Sequence, residues 1–171
     1  MDEIIDILDE NGNLTGKTIS KDEAHKTGVW HRSIHILIVS KDKTKTLFQK
    51  RCPDKKLYPN VWDIAVGGHI SHGEEPYVAA RRELKEELGL NYEFTQIDLI
   101  KENLIHDDIN SNEFIYTYIL YEDIDINKIT IQEEEVSDVK WITKKEMNEL
   151  INNKQVIPHI KTYKILNDIL R

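Results

Sequence analysis

Residues 68–90 read GHISHGEEPYVAARRELKEELGL, and three carboxylates in this stretch decide how the chain is interpreted. Glu83, Glu86 and Glu87 lie at positions i, i+3 and i+4, so on a helix they share an arc of roughly 100°. Three acids on one helical face repel one another and weaken an isolated helix. A hard divalent cation reverses that penalty, because Mg²⁺ prefers oxygen ligands and is commonly held by a few carboxylates together with substrate phosphates. The alternative is a solvated acidic helix face that binds no metal.

The residues around these acids carry the signals of a helix that packs against a sheet. Pro76 suits the first turn of a helix, where its missing N–H costs nothing, and Gly89 suits the left-handed position that ends one. An apolar stripe runs beside the acidic arc and is suited to a buried contact. Its members are Tyr77, Ala80, Leu84 and Leu88.

The spacing of this stretch resembles the Nudix box at every defined position. The matching residues are Gly68, Glu74, Arg82-Glu83-Leu84, Glu86-Glu87 and Gly89-Leu90. The resemblance to Nudix hydrolases implies a loop, a helix and a second loop, whose glutamates hold the metal that assists hydrolysis of a diphosphate linkage. It implies Mg²⁺ as the cofactor, with Mn²⁺ as a substitute. The ligands that it implies are Glu83, Glu86, Glu87 and the backbone carbonyl of Gly68.

Further site residues follow from the same resemblance or from charge. Arg82 is expected to hold a glutamate in its working orientation through a charge-assisted hydrogen bond. Glu74 is expected to assist at the substrate side, and Lys50 and Arg51 to meet substrate phosphates. The general base remains open between Glu86 or Glu87 and a carboxylate of the loop at 133–135, for which Glu134 is chosen. The alternative for that loop is a solvated acidic turn.

The length and charge of the whole chain limit its class. The 171 residues are expected to form one Nudix domain over 1–171, with an N-terminal hairpin and short helix over 1–30 and C-terminal helices over about 143–170. A net charge of −8 argues against nucleic-acid polymers and membrane surfaces as partners, while a phosphorylated small molecule remains compatible because bound cations dominate the local field. We expect a cytoplasmic protein, and a homodimer remains open.

Hydrophobic patterning predicts strands and helices that alternate along the chain. Strands are predicted at 4–8, 14–19, 31–39, 46–50, 62–66, 95–104, 113–121 and 138–142, and helices at 21–27, 76–88, 143–152 and 158–170. A polar loop is predicted at 106–112, between two of these strands. The fold class is α/β, and the resemblance implies the Nudix α/β/α sandwich, in which a mixed β-sheet lies between helices.

Two other functions have to be weighed against hydrolysis. Residues 23–32, 48–51 and 59–63 look like a bacterial Nudix branch related to isopentenyl-diphosphate isomerase. That isomerase needs a cysteine just before its Nudix-like region, whereas residues 62–69 contain none and Cys52, the only cysteine, lies too far upstream. A non-catalytic nucleotide-binding module is the second alternative, but such modules usually lose the metal ligands that this chain retains.

The histidines show no recognised zinc-binding spacing. His31 and His35 are interpreted as strand residues. His69 and His72 are interpreted as loop residues that support the metal site from outside its ligand shell.

Overall fold

The computed structural model describes residues 3–171, so the first two residues of the predicted N-terminal hairpin lie outside the described part of the chain. Within that part, nine strands and four α-helices alternate along the sequence. The strands are β1 (Ile4–Leu8), β2 (Leu14–Ser20), β3 (Trp30–Val39), β4 (Lys45–Arg51), β5 (Trp62–Ile64), β6 (Val66–His69), β7 (Thr95–His106), β8 (Ile109–Tyr121) and β9 (Val136–Thr143). The helices are α1 (Lys21–Thr27), α2 (Pro76–Leu88), α3 (Lys144–Asn152) and α4 (Ile160–Ile169), and a short 3₁₀ helix covers Ile126–Lys128.

Strand β3 lies at the centre of a mixed sheet. It pairs in parallel with β8 from Trp30 beside Asn112 to Val39 beside Tyr121, and antiparallel with β6. Strand β7 extends the sheet beyond β8, and β9 and β5 pair with β4. The hairpin of β1 and β2 joins β3 through Leu8 beside Trp30. The expected α/β class with a mixed sheet between helices is confirmed.

One face of this sheet packs against α2. The alternating side chains of Ile34, Ile36 and Ile38 meet Leu84 and Leu88 of the helix, and all five are fully buried. Burial of one such side chain stabilises the fold by about 1.5–3 kcal/mol. The helix that carries the three acids is therefore fixed by its apolar stripe, as its periodicity predicts.

The other face packs against the C-terminal helices α3 and α4. Leu37 and Val39 of β3 lie on this side, together with Met147 of α3 and Leu166 of α4. Thr143 and Glu146 form the predicted capping box at the start of α3, because each side chain bonds the backbone N–H of the other residue. The two apolar layers leave the ends of β3 and β6 free to carry polar groups.

The structure differs from the sequence prediction in three elements. The predicted strand at 62–66 is broken at Ala65 into β5 and β6, which pair with different neighbours, β4 and β3. The predicted loop at 106–112 is mostly strand, because Asn103 donates hydrogen bonds to Asn110 and Asn112 across the hairpin and so satisfies its polar side chains there. The last helix begins at Ile160 rather than at residue 158.

Within residues 3–171, no helix has both the length and the apolar character needed to cross a membrane.

Candidate active site

The site is built around the last residues of β6, where neighbouring side chains point to opposite faces of the sheet. A Cβ placed on Gly68 would lie 2.4 Å from Cδ of Glu83, so only glycine lets that carboxylate approach the strand so closely. A Cβ placed on Gly67 would instead lie 3.6 Å from Cδ2 of His35, which is an ordinary contact. Gly68 thus faces the acidic helix, and Gly67 and His69 face the other side.

Glu87 carries a carboxylate oxygen that has no partner among the described residues. The residue is only 6% exposed, and its Oε1 accepts a 3.4 Å hydrogen bond from Gln49, while Oε2 is buried without a donor. Burial, reinforced by repulsion from Glu83, raises the pKa of Glu87 well above its ordinary value. A buried oxygen in this state costs free energy unless a proton or a cation satisfies it.

Glu83 and Glu86 share the guanidinium of Arg82. Arg82 Nη1 donates to Glu83 Oε1 at 2.9 Å and to Glu86 Oε2 at 3.2 Å. Burial raises the pKa of Glu83 to about 7, although the Arg82 charge acts in the opposite direction. Glu86 is the exposed member of the three, with 47% of its side chain accessible.

Glu74 fixes the other edge of the same guanidinium. Its two carboxylate oxygens accept hydrogen bonds of 2.9 Å from Nε and Nη2 of Arg82, and this fork lowers the pKa of Glu74. Arg82 Nη2 also donates to the carbonyl of His69 at 3.3 Å. Such bidentate geometry orients both partners. Arg82 therefore links the loop before α2 to two of the three helix glutamates.

This set of groups fits a hard divalent cation. The donors are carboxylate oxygens, and one of them is buried with no partner in the part of the chain that the structure describes. The space that a Cβ at Gly68 would fill lets Glu83 lie close to the strand. Glu83, Glu86 and Glu87 could hold the ion from the helix. The roles of these residues and of the Gly68 carbonyl stay predictions.

The remaining predicted site residues lie in other surroundings. Arg51 donates to the carbonyls of Leu57 and Tyr58 at 2.9–3.2 Å, which holds the loop after β4. The Lys50 ammonium lies 6.0 Å from the centre of the Trp62 ring.

The predicted general base, Glu134, is exposed, and its backbone carbonyl accepts a hydrogen bond from the buried Cys52 thiol. Its neighbour Glu135 pairs with Lys55, and the charge of Glu135 contributes to the raised pKa of Glu87. The member of the acidic triplet whose charge acts on Glu87 is therefore Glu135.

A second polar cluster, which the sequence pattern did not predict, lies across β6 from the glutamates. Its ligand-type atoms all lie within 4.8 Å of one another, and its members are His25 of α1, His31 of β3, His69 of β6 and Glu113 of β8. The closest pairs are His31 Nε2 to Glu113 Oε1 at 3.1 Å and His25 Nε2 to His69 Nε2 at 3.3 Å. We call these four residues the histidine cluster. The reading of His69 as a loop residue was wrong, because it ends β6 and belongs to this cluster.

The pKa values of two histidines in the histidine cluster shift in opposite directions. Burial and the neighbouring His69 together lower the pKa of His25 to about 4. Burial also opposes a charge on His31, but the hydrogen bond and charge of Glu113 raise the pKa of His31 above its ordinary value. Imidazole nitrogens with one carboxylate form a donor set that suits Zn²⁺ and other transition-metal ions. The cluster could therefore hold a softer metal than the glutamates.

No local spacing could have revealed this cluster, because its members come from four elements. Two of its members meet through the pairing of β3 with β8, which places His31 beside Glu113 in a parallel register. That register is a tertiary property, so the pattern of the sequence alone did not contain it.

Comparisons with known proteins agree with this fold. The family model described as NUDIX domain matches residues 29–162. A relative from Listeria monocytogenes, described as an uncharacterized Nudix hydrolase, is 34% identical over 95% of this chain and 92% of its own length. An isopentenyl-diphosphate Delta-isomerase of Photorhabdus laumondii is 30% identical over 99% of this chain and 93% of its own length. A crystal structure from Deinococcus radiodurans has a TM-score of 0.74 at 21% identity, covering 99% of this chain and 100% of that one.

The match to the NUDIX domain model places this mixed sheet and its glutamate-bearing helix in the Nudix class of folds. The chain belongs to the Nudix hydrolase family, and the predicted family, fold class and enzyme class, a Nudix-type pyrophosphohydrolase, are confirmed at the level of the family.

Proposed function

We propose that the protein is a Mg²⁺-dependent hydrolase that cleaves a phosphoanhydride bond by attack of water at phosphorus. The substrate class is a nucleoside diphosphate derivative or a related organic diphosphate, and Mn²⁺ can replace Mg²⁺. The observation that supports this proposal best is the buried Oε2 of Glu87, which has no partner within residues 3–171 and lies beside a Glu83 carboxylate that fits against the strand only because residue 68 is glycine. A cation and the phosphate oxygens that it binds would complete these groups.

Each residue of the site has a distinct task in this proposal. Glu83, Glu86 and Glu87 hold the cation, and Arg82 keeps two of these carboxylates in a fixed orientation through its hydrogen bonds of 2.9 and 3.2 Å. A divalent cation, when bound, supplies positive charge that orients the diphosphate and lowers the pKa of a coordinated water. The buried position of Glu87 keeps bulk water away from one side of the site.

The proton of the attacking water needs an acceptor. Glu86 is the exposed glutamate of the helix and can reach a water at the edge of the site, and Glu134 stays a second proposal. Replacing each by glutamine separates them, because loss of the base removes the limb of the pH–rate profile that reports its ionisation. E134Q with an unchanged profile would exclude Glu134 as the base.

The test of the function is a substrate screen with and without Mg²⁺. It covers nucleoside di- and triphosphates, nucleotide sugars, dinucleotides and isoprenoid diphosphates, with phosphate and nucleotide release as readouts. Release that requires the metal and is lost in E87Q supports hydrolysis. Tight nucleotide binding without turnover would instead indicate a non-catalytic binding module.

Isomerisation of an isoprenoid diphosphate is the second candidate, and the isomerase relative favours it. The isomerase relative shows that this reaction occurs on a chain of similar sequence and length. Against it, residues 62–69 contain no cysteine, and the Cys52 thiol is buried against the Glu134 carbonyl. Proton NMR of isopentenyl diphosphate with the protein distinguishes the two reactions, because isomerisation moves the double bond without releasing phosphate.

A further inference from the structure

The loop that precedes α2 is held from outside the box, by the N-terminal strand. Ile5 of β1 forms an isolated antiparallel bridge with Ser71, and the His72 N–H donates to the carbonyl of Ile4 at 2.8 Å. Glu3 adds a side-chain contact, since its Oε1 accepts a 3.0 Å hydrogen bond from the Ser71 hydroxyl. Strand β1 thus pairs with β2 on one side and supports the loop at 70–74 with the same backbone.

Asp6 of β1 accepts three hydrogen bonds that hold this region together. The residue is 9% exposed, and its Oδ1 accepts a 2.7 Å hydrogen bond from Nδ1 of His72. Its Oδ2 accepts from the Gly73 N–H at 3.3 Å and from Nη2 of Arg32 at 3.2 Å. One carboxylate therefore fixes two consecutive residues of the loop and a guanidinium from the central strand.

Arg32 continues the connection toward the metal site. The same Nη2 that binds Asp6 also donates to the backbone carbonyl of Glu74 at 3.4 Å. Its Nε is buried without a partner among the described residues, and an unpaired buried donor costs stability. An arginine kept here only for stability would be expected to satisfy that donor, so the arrangement favours a role for the contacts at Nη2.

Glu74 connects this loop to the predicted metal ligands through hydrogen bonds. Its Oε1 accepts from the Ser71 N–H at 3.1 Å and from Arg82, and Arg82 in turn binds Glu83 and Glu86. A displacement of the loop would move Glu74 and, with it, the guanidinium that orients two ligand carboxylates.

We infer that Asp6 and Arg32 are positioning residues for the cation site, acting through the loop at 70–74 and Glu74 on Arg82. The inference rests on the proposed function, because it takes Glu83 and Glu86 as cation ligands. Outer partners of metal ligands typically change metal affinity or activity about 10- to 100-fold when they are removed. Neither residue belongs to the box, so the site depends on a strand that lies more than sixty positions upstream of its loop.

The test measures Mn²⁺ binding by calorimetry and electron paramagnetic resonance on the full chain, alongside the Mg²⁺ concentration that gives half-maximal activity. We expect D6A to lower the affinity for Mn²⁺ about tenfold and to raise the Mg²⁺ concentration for half-maximal activity by the same factor. KM for the substrate at saturating Mg²⁺ should change little. D6N keeps the volume and one acceptor oxygen, so it should fold where D6A does not and show a smaller change of the same sign. R32K should restore part of what R32A loses.

The matched control is D9A, which lies at the far end of the same hairpin, where Asp9 accepts hydrogen bonds from the turn residues Asn11 and Asn13. It should lower thermal stability without changing Mn²⁺ affinity. Folded D6A and D6N with Mn²⁺ affinity within about twofold of the wild type would overturn this inference alone. A wild-type protein that binds no Mn²⁺ even beside a diphosphate would overturn the proposed function as well.

Discussion

The two polar clusters on either side of β6 differ in every property that decides how a metal is bound. The acidic cluster, Glu83, Glu86 and Glu87, offers carboxylate oxygens from one helix. Arg82 orients the first two of them from within the same 23-residue stretch. The histidine cluster offers three imidazoles and one carboxylate, from α1, β3, β6 and β8. Hard oxygen donors suit Mg²⁺, whereas imidazoles suit transition-metal ions.

The two faces of the short strand β6 carry polar groups of different chemistry. Gly68 and His69 are adjacent in the chain, yet the alternation of a strand directs one toward Glu83 and the other toward His25. Two sites of unlike chemistry can therefore lie back to back. Variants of each site can show whether the two sites act independently.

The largest effect should come from replacing the buried carboxylate of Glu87. We expect E87Q to lower Mg²⁺-dependent turnover about a hundredfold or more, because it removes a ligand while keeping side-chain volume and the fold. E86Q should act in the same direction. The matched control is E75Q, an exposed glutamate at the start of the same helix, with turnover expected near the wild type. Steady-state rates with circular dichroism check the prediction, and near-normal turnover in E87Q and E86Q would refute the ligand assignment.

The next test compares the two adjacent glycines. G68A places a methyl group 2.4 Å from Cδ of Glu83 and must displace this carboxylate, so activity should fall about tenfold or more. G67A places its methyl group 3.6 Å from His35, an ordinary contact, and should retain activity within about twofold. Parallel rate measurements on the two variants are sufficient. Equal losses would show that the two faces of β6 are not separable.

A metal-content measurement asks whether the histidine cluster acts alone. H25N should weaken Zn²⁺ binding about tenfold or more and leave Mg²⁺-dependent hydrolysis within about twofold, while E87Q should do the opposite. H106N serves as the control, since His106 stacks on Tyr58 away from the cluster. Inductively coupled plasma mass spectrometry and Zn²⁺ titration report the first effect. Loss of hydrolysis in H25N would mean that the two clusters work together.

The smallest effect is a pH dependence of the metal-free protein. Burial raises the pKa of Glu83 to about 7 and that of Glu87 well above its ordinary value. A carboxyl whose folded pKa is raised contributes stability below its unfolded pKa, and this stability is lost as pH rises through the folded value. We expect the Tm of the metal-free wild type to fall by about 3 °C between pH 5 and 8, and by less in E87Q. Calorimetry with a chelator tests this, and a flat wild-type profile would contradict it.

Local signals predicted the elements that are fixed by local contacts. Ser20 caps α1 through the N–H of Glu23, Gly28 ends that helix in the left-handed conformation, and the capping box at Thr143 begins α3. In each case the residues that make the bond lie within a few positions of one another. The sequence pattern therefore contains the whole physical cause.

Elements that depend on distant partners were predicted less well. The hairpin of β7 and β8 extends through Asn-rich segments because its side chains pair across the strands, with only Asp107 and Asp108 left in the turn. The break at Ala65 exists because β5 and β6 serve different neighbours. The polar composition of one segment does not show which strand that segment will pair with.

The sequence by itself determined the acidic helix, its orienting arginine and the family. The hydrogen bonds of Arg82 to Glu74, Glu83 and Glu86 span eight residues or fewer, so local spacing contains their physical cause. The tertiary structure alone decided that strand β1 supports the loop at 70–74 and that three histidines meet Glu113. The hydrogen bonds that join these groups link residues 44–82 positions apart, and they form only once the hydrophobic faces of the sheet have fixed its register.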